Sequence, residues 1–252
     1  FVAPPIVLAL AQHPIVDNYD LTKLERIFSG AAPLGGEIAD MATERIGATV
    51  VQGYGMTELS PVSHAYPLHF LDKPGSVGVT LPNTECRLVD DTTRDDVALG
   101  LPGELWIRGP QVMLGYLRNE EATAATIDPD GWLHTGDIAV TDEDGYFWIV
   151  DRLKELIKFK GFQVPPAELE ALLIVADEVA DVAVIGIPDD EAGELPKAYI
   201  VKSPGADIDE QWVKDYVSEK VATYKQIRLV EFIDEIPKSA SGKILRRFLR
   251  DR

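Results

Sequence analysis

At 252 residues and 46% hydrophobic, the chain has room for two ordinary folded domains, and its net charge of −18 excludes nonspecific binding to nucleic acid or an anionic membrane, both of which need a positive field. Cys86 is the single cysteine, so no intrachain disulfide can form and a reducing, cytoplasmic setting is expected. No basic leader with a cleavage site and no apolar run long enough for a bilayer is seen, so neither secretion nor membrane insertion is expected.

In chain order, residues 1–84 predict the end of an α/β unit. A helical pattern at 5–11 precedes an apolar strand at 24–28, the turn Gly30, Ala31, Ala32, Pro33, a helix from Gly36 to about Ile46, and a strand at 48–51. Strand, turn, helix, strand is the order of a parallel sheet, whose ligands sit beyond the carboxyl ends of its strands. Residues 85–150 change to short strands at 85–89, 103–108 and 132–134 and a hairpin of 138–140 with 146–150, which predicts a small antiparallel barrel or sheet. Cys86, inside the first of these strands, is read as a packed small side chain rather than a catalytic thiol.

Residues 151–252 predict a separate α+β module, with a helix after Pro165-Pro166, strands at 182–185, 198–201 and 229–233, and a helix across 210–221. Charge changes at the same place: residues 1–150 hold 8 Lys/Arg against 22 Asp/Glu, a net of −14, and residues 151–252 hold 16 against 20, a net of −4. Composition and charge shift together at Asp151-Arg152, which is where a hinge is expected.

Four segments carry chemistry. In Gln52-Gly53-Tyr54-Gly55-Met56-Thr57-Glu58, glycines on both sides of Tyr54 suit a tight turn that frees an aromatic face to stack on a planar base. Thr57 offers a hydroxyl to a phosphate, and Glu58 a hard oxygen ligand to Mg2+. In Gly131-Trp132-Leu133-His134-Thr135-Gly136-Asp137-Ile138, a carboxylate held after a glycine turn suits the two hydroxyls of a ribose. The third runs from the strand ending in Asp151-Arg152 to Lys160-Gly161-Phe162-Gln163-Val164. The fourth, Pro237-Lys238-Ser239-Ala240-Ser241-Gly242-Lys243-Ile244-Leu245-Arg246-Arg247, puts a lone ammonium on a loop of small residues, able to bring one point charge to a phosphate or carboxylate. His13, His64, His69 and His134 are scattered without partners at ligand spacing and are read as surface or turn residues; the four tryptophans are read as core.

With these segments in order, the chain resembles the C-terminal part of the acyl-adenylate-forming (AMP-binding) ligases, most closely 4-coumarate:CoA ligase and other acyl-CoA synthetases. The resemblance implies a fold of three parts: residues 1–84 as the C-terminal portion of a large α/β domain, 85–150 as a small β-barrel subdomain, and 151–252 as a mobile α+β domain hinged at Asp151. It implies ATP, Mg2+ and CoA, with a small carboxylic acid as acyl donor. Tyr54 would stack on adenine, Thr57 would contact the AMP phosphate, Glu58 would bind Mg2+, and Asp137 and Arg152 would hold the ribose. Gln52, Gly53 and the turn Gly30, Ala31, Ala32, Pro33 would border adenine and the acyl group. Lys243 would act in adenylation, Lys158 and Gln163 would contact the adenylate in thioester formation, and Lys160 and Gly161 would meet CoA. The family's upstream phosphate-gripping loop has no counterpart here, so the chain reads as a fragment that either needs a complementing N-terminal segment, or self-associates, or serves as a noncatalytic nucleotide- or CoA-binding remnant.

Overall fold

The structure, a computed structural model, describes residues 1–30, 34–67, 73–239 and 242–252. It divides into two units, Phe1–Leu153 and Lys154–Arg252. Among the described residues no helix is long and apolar enough to cross a membrane.

In the first unit, helix α1 (Pro4–Gln12) has proline at its first positions, where a missing N–H costs nothing. Strand β1 (Arg26–Ser29), helix α2 (Gly36–Ile46) and strand β2 (Thr49–Gly55) follow in the expected order. Strands β1 and β2 are parallel, with Phe28 beside Val51 and Ser29 beside Gln52. Helix α2 stops where Gly47 takes φ +72° and returns its N–H to the Thr43 carbonyl, a left-handed cap that a Cβ would disfavour.

The structure departs from the expected turn after Val51. Strand β2 runs on through Gln52, Gly53, Tyr54 and Gly55 and pairs antiparallel with β3 (Val62–Ala65), Tyr54 opposite His64. The glycines serve close packing instead: a Cβ on Gly53 would lie 2.4 Å from the Phe28 ring, and one on Gly55 would lie 2.0 Å from the Pro61 carbonyl oxygen.

Strands β4 (Gly78–Thr80), β5 (Glu85–Val89) and β6 (Gly103–Arg108) are followed by helix α3 (Glu120–Thr126) and the hairpin β7 (Leu133–Thr141) and β8 (Tyr146–Arg152). All join one eight-stranded sheet in the order β1-β2-β3-β4-β8-β7-β6-β5. That path is open, so the antiparallel strands expected as a small barrel form no closed barrel among the described residues. Strand β4 meets β8 through Gly78–Phe147 and Val79–Tyr146, which places the parallel strands and the meander in the same sheet. Their core includes Leu59, Leu105, Ile107, Leu133 and Phe147. His64 corrects the surface reading: it is fully buried, with Nδ1 2.9 Å from Ser63 Oγ and its ring 4.5 Å from Phe147. His13 is exposed and caps the turn at Ile15, His134 stacks on Trp106 at 3.7 Å, and His69 lies outside the described residues.

The second unit opens with the hairpin β9 (Ile157–Phe159) and β10 (Phe162–Val164). Its two-residue turn is Lys160 at φ 49° and Gly161 at φ 83°, the pair of positive angles that matches strand twist. Helix α4 (Pro166–Ile174), strands β11 (Val179–Asp189) and β12 (Gly193–Lys202), helix α5 (Glu210–Ser218), strand β13 (Leu229–Phe232) and helix α6 (Arg247–Arg250) complete it. Helix α5 begins on Asp209, whose carboxylate accepts the Trp212 N–H at 2.8 Å. Strands β11 and β12 are antiparallel, and β13 adds parallel to β12.

Both faces of β11 are covered, which is why its sequence is apolar without alternation. Val182 and Val184 join Leu169, Leu173, Val213 and Val217 on one side. Ala183 and Ile185 join Tyr199, Ile236 and Leu249 on the other, where the Tyr199 hydroxyl donates to the Leu249 carbonyl at 3.0 Å and seats the C-terminal helix. Each leucine buried this fully stabilises the unit by roughly 1.5–3 kcal/mol.

Candidate active site

Strand β2 and the distant β7–β8 hairpin converge at one place in the first unit. Strand β7 carries Asp137 directly across from Arg152 on β8, and β2 brings Tyr54 to the same carboxylate. The Tyr54 hydroxyl donates to Asp137 Oδ2 at 2.5 Å, and Arg152 Nε lies 3.3 Å from Asp137 Oδ1. Tyr54 and Asp137 are buried while Arg152 is about half exposed, so the cluster opens to solvent on its cationic side. Burial first, and then the negative charge of Asp137, push the Tyr54 phenol far above its ordinary pKa; it stays a hydroxyl and keeps donating.

The backbone behind this cluster is braced by buried polar groups. Gly136 takes φ +69° and its N–H donates to Glu104 Oε1 at 3.1 Å, while the Asp137 N–H donates to Thr135 Oγ1 at 3.1 Å. Glu104 is 5% exposed, and its other oxygen accepts Trp106 Nε1 at 2.8 Å. A buried carboxylate with both oxygens engaged holds geometry that a single contact would not.

Gln52 is buried and grips the backbone of Leu34 twice, Oε1 accepting the N–H at 3.1 Å and Nε2 donating to the carbonyl at 3.0 Å. It thereby ties strand β2 to the residue following the predicted acyl-lining turn. Of that turn, Gly30 is described, its N–H donating to the Val2 carbonyl at 3.1 Å; Ala31, Ala32 and Pro33 lie outside the described residues. Thr57 is exposed at the start of a 3-10 turn. Glu58, next to it, is half-buried and accepts the Tyr116 hydroxyl on Oε1 at 2.7 Å, with its carbonyl accepting the Met113 N–H at 2.8 Å. Tyr116 was not among the candidate residues: 58 positions separate the pair, and an isolated tyrosine in a loop carries no motif. The Glu58 carboxylate pushes the Tyr116 phenol above its usual range.

The remaining candidates are in the second unit. Lys158 and Gln163 are register partners across the β9–β10 hairpin, both exposed, with Lys160 and Gly161 at its turn. The Lys158 N–H donates to Glu194 Oε2 at 2.7 Å and the Lys160 N–H to the Ala192 carbonyl at 2.7 Å, pinning the hairpin to strand β12. Lys243 is exposed on a loop closed by a bridge between Lys238 and Ile244; its N–H donates to Ser239 Oγ at 3.2 Å and its carbonyl accepts the Ser239 N–H at 2.9 Å. Asp151, the expected pivot, is buried in β8 and its Oδ1 accepts the Arg152 N–H at 2.7 Å.

The first unit thus carries a buried phenol–carboxylate pair capped by a half-exposed guanidinium, and the second presents exposed lysines on a hairpin and a loop, groups suited to a polar, anionic small molecule. Two family profiles match, one described as AMP-binding enzyme over residues 1–117 and one as AMP-binding enzyme C-terminal domain over residues 168–243, and the chain belongs to the AMP-binding enzymes. Among curated proteins it is 52% identical over 99% of its length to 4-coumarate–CoA ligase 2 of Oryza sativa subsp. japonica, covering 45% of that protein. Among solved structures it is similar to ATP-bound MatB from Rhodopseudomonas palustris (33% identity, TM-score 0.89, 99% of this chain and 50% of that one). It is also similar to the anthranilate CoA ligase AuaEII in complex with anthranoyl-AMP (34% identity, TM-score 0.88, 99% of this chain and 47% of that one). The chain thus spans about half the length of the relatives it matches.

Proposed function

We propose that this chain belongs to an ATP-dependent carboxylic acid:CoA ligase of the 4-coumarate:CoA ligase type, and that its two units supply the residues for two successive half-reactions. The observation that carries the reading is the convergence of Tyr54 and Arg152 on the buried carboxylate of Asp137, the three residues coming from separate motifs. Asp137 with Arg152 suits a ribose, the Tyr54 ring an adenine, and exposed Thr57 the α-phosphate. Mg2+ takes hard oxygens, commonly one or two carboxylates plus phosphate oxygens, and half-exposed Glu58 fits that donor set; the bound ion would neutralise phosphate charge.

In the first half-reaction the substrate carboxylate oxygen attacks the α-phosphorus of ATP, the bond to pyrophosphate breaks, and pyrophosphate leaves. Lys243 places its ammonium between carboxylate and α-phosphate, where the transferring group gains charge. In the second, the CoA thiol gives its proton to solvent, its sulfur attacks the acyl carbon, the bond to AMP breaks, and AMP leaves. Lys158 and Gln163 steady the adenylate, and Lys160 with Gly161 receive CoA. Lys243 and the β9–β10 hairpin serve different steps at one acyl carbon, and rotation about Asp151 would present them in turn.

The test uses the complete protein. Lys243→Ala is expected to lower acid-dependent ATP–pyrophosphate exchange by about 10²- to 10³-fold while thioester formation from a supplied acyl-adenylate stays near wild type. Equal loss of both half-reactions would refute the assignment, and absence of exchange in the wild type with a broad panel of acids would refute the ligase itself.

A further inference from the structure

Three residues after Lys243, Arg246 makes contacts that nothing in the sequence pattern announces. Its side chain is only 13% exposed. Nη2 donates to both oxygens of Glu170 on α4 at 2.7 Å, and Nε donates to the Val184 carbonyl on β11 at 3.3 Å. Glu170 Oε1 in turn accepts the Val184 N–H at 2.8 Å. Nε also lies 2.9 Å from Glu155 Oε2, a charge contact without an aligned hydrogen bond, since that N–H is directed at Val184.

On the other side of the loop, Lys238 Nζ donates to both oxygens of Asp181, again on β11, at 2.7 and 2.6 Å. The Leu245 N–H closes the base by donating to the Pro237 carbonyl at 2.8 Å. Lys243 therefore rides on a loop whose two roots are each clamped by a cation to the same strand. Glu155 adds a third attachment, because it is the second residue of its unit, just past the division at Leu153.

A guanidinium and two carboxylates so enclosed must be stripped of water, and such a cluster is weak as a source of stability; an apolar group of similar volume often does as well. What the fork supplies is direction, since a planar guanidinium bound to a carboxylate and a carbonyl fixes its own orientation. We propose that Arg246 is a positioning residue for Lys243: with Glu155 and Glu170 it sets where the lysine points and ties the loop to the first residues beyond the pivot. The proposal rests on the ligase reading above. It requires that disturbing Arg246 or Glu155 impair adenylation, which needs Lys243 placed closely, and spare thioester formation, which does not use it.

The experiment measures both half-reactions separately in the complete protein for wild type, Glu155→Gln, Arg246→Lys and Arg246→Met, with amide hydrogen exchange at Ser239 and Leu245 as a readout independent of activity. The kcat of pyrophosphate exchange is expected to fall about 10²-fold in Arg246→Met, the usual cost of a catalytic group misplaced by about 1 Å, and less in the other two variants. KM for acid and ATP and the rate of thioester formation from supplied acyl-adenylate should change less than about twofold, and both amides should exchange faster. Arg246→Lys, which keeps the charge and loses the fork, should recover only part of the rate. Parallel loss of both half-reactions, or adenylation and exchange both at wild-type level in Glu155→Gln, would overturn the proposal. Should Arg246→Met fail to fold, the near-isosteric Glu155→Gln decides. A wild type without pyrophosphate exchange would sink the ligase reading alone, while hydrogen exchange would still report whether Arg246 holds the loop.

Discussion

His64 has no exposed surface and, among the described residues, no carboxylate bonded to it; Ser63 Oγ faces Nδ1, while Thr80 Oγ1 and Cys86 Sγ stand 3.4 and 3.6 Å from Nε2. Burial holds its pKa down at about 4 against an ordinary 6.5, so the folded protein keeps it neutral. Between those values the unfolded chain binds a proton that the folded one does not, so stability is full above about pH 6.5 and is lost as pH falls toward 4. The loss amounts to about 3 kcal/mol. Burial raises the neighbouring Cys86 thiol to about 11, so it stays neutral throughout this window. Urea unfolding of wild type and His64→Asn at pH 7 and pH 4.5 should show a shallower pH dependence in the variant; identical slopes would contradict this account. The sequence could not place His64 in the core, because β3 is four residues long and polar at both Ser63 and His64. Tyr54, Asp137 and Arg152 were legible because each lies in a short motif of its own, whereas Glu155, Glu170 and Arg246 meet across more than half of the second unit, where no local pattern links them.

At the scale of elements, the sequence located α2, β5, β6, the β7–β8 hairpin, α4 and the long strands β11 and β12, each of which buries apolar side chains. It missed α3, a helix with no buried residue that hangs on its Asn119 cap, and β3, β4, β9 and β10, each three or four residues long. It also misread Gln52 to Gly55. Glycine usually signals a turn, but here the neighbouring Phe28 ring and Pro61 carbonyl leave no room for a Cβ. Gly53→Ala should therefore destabilise the first unit by about 1–3 kcal/mol through overpacking, read as a lower urea midpoint at unchanged m. An unaltered midpoint would mean that Phe28 moves aside freely.

Across the whole molecule, each unit has its own apolar core, and the tryptophans divide between them: Trp106, Trp132 and Trp148 in the first, Trp212 in the second. Urea unfolding followed by tryptophan fluorescence is expected to show two transitions, with Trp212→Phe removing the amplitude of one and leaving the other. A single coincident transition in both proteins would indicate one cooperative block. The shift in charge and composition near Asp151 falls close to the structure's division after Leu153, because separate cores are built from separately patterned stretches. What composition could not convey is that residues on both sides of position 84 pair into one sheet, since β4 and β8 are 66 residues apart at their nearest ends.

That long-range seam has a bearing on biosynthesis. Strands β1 to β4 can pair as soon as they leave the ribosome, and β5 to β8 form a second local set, but β4 must wait for Tyr146 and Phe147. At roughly 5–20 residues per second the wait is several seconds, during which the nascent chain carries a raw hydrogen-bonding margin with Val77 and Val79 beside it. Crowded polysomes and heat would act on this interval first, because any other strand that meets the exposed margin competes with Tyr146 and Phe147 for it.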